Sequence, residues 1–117
     1  MKTHKVVSVT SEGIRFDSGL FLSSHHNSDC CEHHELTFTD ITLQDFDGLE
    51  FVIDAEGSFF RKVDGYGIEM IPVHGHSVRI PGHGYNNGYY GTNLSLCVTG
   101  EGIDLDFDIT ECQLIEG

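Results

Sequence analysis

The sequence predicts a mainly β domain, an antiparallel sandwich or rolled sheet that carries one short helix. Short segments rich in Val, Ile, Phe and Thr alternate with glycine-containing turns, which is typical of antiparallel β proteins. The segment from Ile103 to Ile109 alternates apolar and acidic residues, which indicates a strand with one buried face. Because no repeat, low-complexity run or linker interrupts the chain, residues 1–117 are expected to form a single domain.

Strands are predicted where β-branched or aromatic residues are flanked by turn residues. Glycine supplies the positive φ that tight turns need, so Asp17-Ser18-Gly19 and Gly100-Glu101-Gly102 are each predicted to close a hairpin. The predicted strands lie near Val6 to Thr10, Ile14 to Asp17, Leu20 to Ser24, Glu35 to Thr39, Phe51 to Ala55, Ile68 to Val73, Val78 to Pro81, Leu94 to Thr99 and Ile103 to Thr110.

The one helix is predicted at about Asp40 to Gly48. Asp40 or Thr42 can cap its N-terminus, and Gly48 is a natural terminator. Leu43 and Phe46 are three residues apart, so they share one side of the helix. A helix of about two turns is too short to be stable alone, so it is expected to pack on the sheet.

The charge balance excludes some partners. Nineteen Asp and Glu residues against six Lys and Arg give a net charge of −13, which repels phosphate backbones and anionic membrane surfaces. Direct binding to nucleic acid is therefore not expected, and no apolar run is long enough for a membrane span. Such a surface favours a basic protein partner, and it would allow the chain to imitate nucleic acid and inhibit a basic host protein.

The four cysteines are expected to be reduced. The N-terminal residues lack the apolar core of a signal peptide, which predicts a cytoplasmic protein, in a bacterium or in the host of a phage. A disulfide between the neighbours Cys30 and Cys31 would be strained. With a two-residue hairpin loop after Thr99, Cys97 is predicted to lie opposite Asp104, and not opposite Cys112.

The densest group of chemically active side chains lies between residues 24 and 35. Imidazole and thiolate are ligands that suit zinc, and one feasible set is His26, Cys30 or Cys31, and His33. The same residues allow a thiolate nucleophile activated by His26 and oriented by Asp29, although the neighbouring acids oppose it. The remaining alternative is structural, with one cysteine packed inward and the histidines in a solvated loop.

Two further segments carry candidate side chains. His74 and His76 are two residues apart, so on a strand they would share a face and could bind a metal with His83, unless they lie in an exposed loop. Asn87-Gly88 predicts a type I′ turn. The tyrosines around it form either a binding surface or core contacts: Tyr85, Tyr89 and Tyr90.

The acidic face of the last predicted hairpin is the fourth feature. Asp104, Asp106 and Asp108 share one side of a strand, so they either meet water or attract a cationic partner or calcium. Their spacing differs from that of an EF-hand loop, which needs a glycine at the sixth position and a later Glu.

The segment His26-Asn-Ser-Asp-Cys-Cys-Glu32 resembles the His-x-x-Asp-Cys-Cys-Glu motif of a family of small phage and bacterial proteins, a domain of unknown function. Asn87-Gly-Tyr-Tyr90 resembles the second motif of that family. The resemblance covers roughly Ile14 to Tyr90, and Gly91 departs from it where the family commonly has Ser. It implies no reaction, but it marks these candidate binding residues: His26, Asp29, Cys30, Cys31, Glu32, Asn87, Tyr89 and Tyr90.

Taken together, these observations favour a small non-enzymatic accessory or binding domain of phage or bacterial origin. The first alternative is a zinc-binding protein that uses the His/Cys cluster, with zinc as its cofactor. The second alternative is an acidic mimic of nucleic acid that inhibits a basic host protein.

Overall fold

A computed structural model describes residues 2–25, 33–85, 94–100 and 102–116. Ten strands are present in these residues, together with two short 3-10 helices, Phe38–Asp40 and Leu43–Phe46. In chain order the strands are β1 (Val6–Thr10), β2 (Gly13–Phe16), β3 (Phe21–His25), β4 (His33–Leu36), β5 (Phe60–Val63), β6 (Gly67–Met70), β7 (Val78–Tyr85), β8 (Ser95–Gly100), β9 (Ile103–Asp108) and β10 (Leu114–Glu116).

The strands form two five-stranded sheets. The first sheet has the order β1-β2-β3-β8-β9, and all its neighbours are antiparallel. The second has the order β10-β7-β6-β5, and β4 also pairs with β7. Only β10 runs parallel to its neighbour, β7, among the pairs that the described residues make.

Apolar side chains from both sheets form one core. Leu22 and Leu96 of the first sheet and Ile68 and Ile80 of the second are completely buried in the same cluster. Burial of a side chain of this size contributes roughly 1.5–3 kcal/mol to folding. The prediction of a mainly β sandwich is therefore confirmed.

Two ion pairs that share one carboxylate join three neighbouring strands and stabilise the register of the second sheet. Glu69 on β6 lies opposite Arg61 on β5 and Arg79 on β7. Its two carboxylate oxygens lie 2.9 Å from Arg61 Nη2 and 3.3 Å from Arg79 Nε. Hydrogen bonds from Arg61, and then from Arg79, lower the pKa of the Glu69 carboxyl group. A shift of this strand by one residue would separate all three charges.

The predicted helix at Asp40 to Gly48 is shorter and tighter than expected. Its position holds the second 3-10 helix, Leu43–Phe46, one turn long. The Thr42 N–H donates a hydrogen bond of 2.8 Å to Asp45 Oδ2, and this contact caps the N-terminus of the turn. Phe46 is buried, but Leu43 is 46% exposed. Of the two residues that were predicted to form the apolar side of the helix, only Phe46 therefore packs inward.

Two parts of the predicted strand pattern are wrong. The segment from Phe51 to Ala55 forms no strand, because only Phe51 pairs, in an isolated bridge with His4. Strands β5 and β10 occur where none was predicted. In β5 the central residues Arg61 and Lys62 are both exposed, so the strand lacks the apolar pattern by which the others are found.

Candidate functional site

Most of the predicted binding residues lie outside the described part of the chain. This is true of the first motif, residues 26–32, and of the second, residues 87–90. The binding role of these residues, and the zinc set His26, Cys30, Cys31 and His33, therefore remain predictions. Of that set only His33 is described, as the first residue of β4.

The strands that flank the two motifs are paired with each other in both sheets. His25, which precedes the first motif, pairs with Ser95, just after the second. His33, which follows the first motif, pairs with Tyr85, just before the second. The two pairs belong to different sheets, and Ser24 Oγ links these sheets by accepting a 3.1 Å hydrogen bond from the Leu36 N–H.

The histidines of the second segment do not assemble into a site. His74 and His76 are exposed in a turn, whereas His83 lies within β7. His76 Nε2 is 3.1 Å from the Asp45 carbonyl oxygen, which ties this loop to the second 3-10 helix. No group of three or more His, Cys, Asp or Glu side chains suited to a metal occurs among the described residues.

The two described cysteines are free thiols, as expected. Burial, and then the carboxylates of Asp106 and Asp104, raise the pKa of the Cys97 thiol. Burial, and then Glu111, raise that of Cys112. Both sulfurs are therefore protonated at neutral pH and unsuited to nucleophilic attack.

The predicted register of the last hairpin is wrong by two residues. Cys97 lies opposite Asp106, because the hairpin closes with the pair Gly100 and Ile103 and not with Thr99 and Gly102. The positive φ of Gly100, 125°, is the reason that this residue can be the last of its strand.

Strand β9 presents the acidic face that its sequence predicts. Asp104, Asp106 and Asp108 are exposed, while Ile103, Leu105 and Phe107 are half-buried against the core. Within the described chain β9 pairs only with β8, so it is the outer strand of its sheet. The carboxylates therefore lie along an open sheet edge.

Three phenylalanines connect this edge to the other sheet. Phe107 lies 5.1 Å from Phe60 and 5.7 Å from Phe59, measured between ring centroids. Phe59 is buried, but Phe60 and Phe107 are only half-buried. Edge-to-face contacts of this kind contribute about 0.5–1.5 kcal/mol each beyond area burial. The aromatic cluster closes the core between β9 and the outer strand β5.

A groove of about 460 Å³ lies over the two half-buried rings. We call it the edge groove. It is lined by Glu56, Gly57, Phe60, Lys62, Asp106, Phe107 and Asp108.

The single cation of the edge groove is already paired. Lys62 Nζ lies 3.1 Å from Glu111 Oε1, and a hydrogen bond to that carboxylate raises the lysine pKa. Hydrogen bonds from the Thr110 hydroxyl and N–H lower the pKa of Asp108, which keeps it ionised at neutral pH. The groove therefore combines an aromatic floor with a negative rim.

The acidic side of this groove is predictable from the sequence, but its aromatic side on β5 is not. The aspartates follow from strict alternation, but Phe60 belongs to the unpredicted strand β5. The adjacent phenylalanines at residues 59 and 60 were the available signal, since two neighbouring aromatic side chains require apolar contacts.

Comparison with protein-family models, with curated proteins and with solved structures finds no match. The resemblance to the phage and bacterial family therefore remains a prediction. Among the described residues, no helix has the length and apolar character needed to cross a membrane.

Proposed function

We propose that this protein is a small non-enzymatic binding domain that takes a positively charged, extended segment of a partner protein in its edge groove. This proposal rests on the groove between β5 and β9, which combines half-buried phenylalanine rings with exposed aspartate side chains. The net charge of −13 adds long-range attraction for a basic partner.

The chemistry of the groove fits lysine and arginine side chains. Their alkyl stems pack on aromatic rings, and a charge over a ring face contributes about 0.5–1 kcal/mol at exposed sites. The molecule already uses this contact within itself. The guanidinium carbon of Arg15 lies 5.1 Å from the centroid of Phe21, and that of Arg79 lies 5.6 Å from the centroid of Tyr66.

The position of β9 favours an extended partner. An outer strand offers backbone N–H and C=O groups to an added strand, and its alternating side chains then face those of the partner. A peptide that alternates basic and apolar residues would place cations beside Asp104 and Asp106 and apolar groups beside Leu105.

The test is the binding of a fluorescein-labelled peptide of alternating lysine and valine, followed by fluorescence anisotropy. The double variant Asp104→Asn/Asp106→Asn removes two negative charges from the acidic face of β9, including that of Asp106 in the groove lining, and neither side chain forms a hydrogen bond with the described residues. We expect it to bind about tenfold more weakly, equivalent to about 1.4 kcal/mol. Affinity should also fall steeply as salt rises.

The matched control is Asp40→Asn/Asp47→Asn, which changes the net charge equally at two exposed positions outside the groove. It should retain affinity close to that of the unmodified protein. Equal losses in the two double variants would show that only overall charge matters, and no binding by the folded protein would refute the proposal.

The nucleic-acid-mimic hypothesis is a special case of the same surface. It requires that the basic partner be a nucleic-acid-binding protein and that DNA compete with this chain for it. Competition between a DNA duplex and this protein for a purified basic DNA-binding protein separates the two hypotheses. A cytoplasmic location, bacterial or in the host of a phage, belongs to the same proposal.

We also propose that the two motif segments form a joint binding surface. The pairs His25 with Ser95 and His33 with Tyr85 support this, because in each sheet a strand that flanks the first motif pairs with a strand that flanks the second. The same two strand pairings support the zinc hypothesis. Protein purified without chelator should contain one zinc per chain, and Cys30→Ser/Cys31→Ser should abolish it, while Cys97→Ser should not. Folded protein without zinc would refute that alternative.

A further inference from the structure

A second cavity, independent of the edge groove, lies near the N-terminus of the described chain. Its volume is about 380 Å³, at the lower end of the roughly 300–1,000 Å³ range of small-molecule pockets. Leu20, Ile53 and Ile103 give it an apolar wall. Four polar side chains also line it, those of Lys2, His4, Ser18 and Asp54.

His4 is held rigidly in this cavity. It is only 5% exposed, and two backbone hydrogen bonds of 2.8 and 2.9 Å tie it to Phe51. Its ring packs edge-on against Phe16 at 6.3 Å. His4 Nδ1 lies 2.6 Å from Ser18 Oγ. The side chain is therefore fixed in place without a ligand.

The second ring nitrogen of His4 has a different environment. Nε2 makes no hydrogen bond within the part of the chain that the structure describes. An unsatisfied buried polar group costs about 1–3 kcal/mol. If Ser18 donates its hydroxyl proton to Nδ1, the neutral ring carries its proton on Nε2 and offers it as a donor.

Lys2 supplies a positive charge that is not neutralised locally. It forms no ion pair with the described residues, whereas Arg61, Arg79 and Lys62 each do.

Asp54 also lines the cavity, but its own turn engages both carboxylate oxygens. Oδ1 accepts hydrogen bonds of 3.0 and 3.3 Å from the Gly57 and Ser58 N–H groups, and Oδ2 accepts one of 2.8 Å from Ser58 Oγ. Asp54 keeps its negative charge, but its own turn occupies both of its oxygens, so Lys2 is the charged lining side chain that is left to pair with a ligand.

We propose that this cavity binds a small apolar carboxylic acid as its carboxylate. The hydrocarbon part lies against Leu20, Ile53 and Ile103, and the carboxylate accepts hydrogen bonds from Lys2 Nζ and His4 Nε2. A charge-assisted pair of donors at the end of an apolar pocket selects this class of ligand over a neutral alcohol or an amine.

Isothermal titration calorimetry with octanoate, octan-1-ol and octylamine tests the assignment. The folded protein should bind octanoate more tightly than either analogue. Lys2→Gln changes an exposed side chain, and it should weaken octanoate binding about tenfold while leaving octan-1-ol binding unchanged. Ser18→Ala should weaken octanoate binding as well, because the His4 ring loses the hydrogen bond that holds it in place.

The matched control is Lys5→Gln, an exposed lysine of the same segment that does not line the cavity. It should bind octanoate as the unmodified protein does. Equal affinity for octanoate and octan-1-ol, equal losses in the two lysine variants, or no octanoate binding by folded protein would each overturn the proposal. None of these outcomes depends on the edge groove.

Discussion

Gly67 lies where the backbones of β6 and β7 are closest. A Cβ atom at this position would overlap the Ile80 carbonyl oxygen and approach the backbone nitrogen of Gly82. Neither backbone group can move without breaking the sheet. We expect Gly67→Ala to lower the free energy of unfolding by about 2–3 kcal/mol, measured by urea denaturation.

Gly48 is the matched control for that substitution. Its φ of 77° is also positive, but a Cβ atom there would contact nothing within 4 Å. Gly48→Ala should therefore cost only the backbone strain, about 1 kcal/mol. If the two variants lose the same stability, close backbone packing at Gly67 is not the reason for its glycine.

His4 gives the protein a stability that depends on pH. Burial, and then the positive charge of Lys2, lower the pKa of this imidazole, while Asp17 raises it by a smaller amount. The unfolded chain therefore binds a proton at a higher pH than the folded chain does. Stability from this group is complete above the ordinary histidine pKa of about 6.5 and declines as the pH falls below it.

Unfolding free energies at about pH 7.5 and about pH 5.5 measure this dependence. The unmodified protein should lose stability between these values, and His4→Gln should lose less. His74→Gln removes an exposed histidine and should keep the original dependence. A variant without His4 that is as sensitive to pH as the unmodified protein would contradict the assignment.

Individual strands differ in how well the sequence predicts them. Strand β9 is clear because one face is buried and the other is solvated, and this burial produces strict alternation. Strand β5 is not recognisable in the sequence, because its central residues Arg61 and Lys62 are exposed and form ion pairs with Glu69 and Glu111. Such contacts join β5 to other parts of the fold, and no pattern within the strand itself reports them.

The predicted helix failed for a related reason. A capping residue and a glycine terminator define where the chain can turn, but they do not determine how far the turn continues. The second 3-10 helix ends after one turn, and Phe46 alone enters the core. Ile41 and Leu49, which flank the turn, are also buried in the core.

Ser24 joins β3 to β4 across the two sheets. Its hydroxyl oxygen accepts the N–H of Leu36, a residue only 2% exposed. We expect Ser24→Ala to lower the unfolding free energy by about 1–2 kcal/mol, because a buried N–H loses its acceptor. Thermal denaturation measures the loss. Ser77→Ala, at an exposed loop position, should have almost no effect, and similar losses would exclude this role for Ser24.

At the scale of the whole molecule, the net charge of −13 opposes folding. The ion pairs among the described residues use exposed cations, such as Lys62, 49% exposed, with Glu111, so they contribute little. Screening should therefore relieve more repulsion than attraction. Raising NaCl from about 20 to about 300 mM should increase the unfolding free energy by about 1 kcal/mol.

The variant Asp104→Asn/Asp106→Asn provides the comparison for the salt experiment. It carries two fewer negative charges, so its stability should rise less with salt than that of the unmodified protein. A fall in stability with salt would mean that local ion pairs outweigh the overall repulsion.

The candidate sites differ in how far the sequence reveals them. Composition and alternation predicted the acidic side of the edge groove, since both are local properties. The cavity near His4 was not predicted, because His4 and Ser18 belong to segments that only the folded chain brings together. The meeting of the strand ends around the two motifs follows from sheet pairing, which a single sequence does not specify.

The aspartates of β9 have one more consequence, for self-association. Unpaired strand borders are sites where identical molecules add to one another and grow into fibrils. Two copies meeting at β9 would oppose carboxylate to carboxylate, so we expect these residues to oppose self-association at this edge. The variant Asp104→Asn/Asp106→Asn removes most of this repulsion, and thioflavin-positive aggregates are then expected to grow from this border.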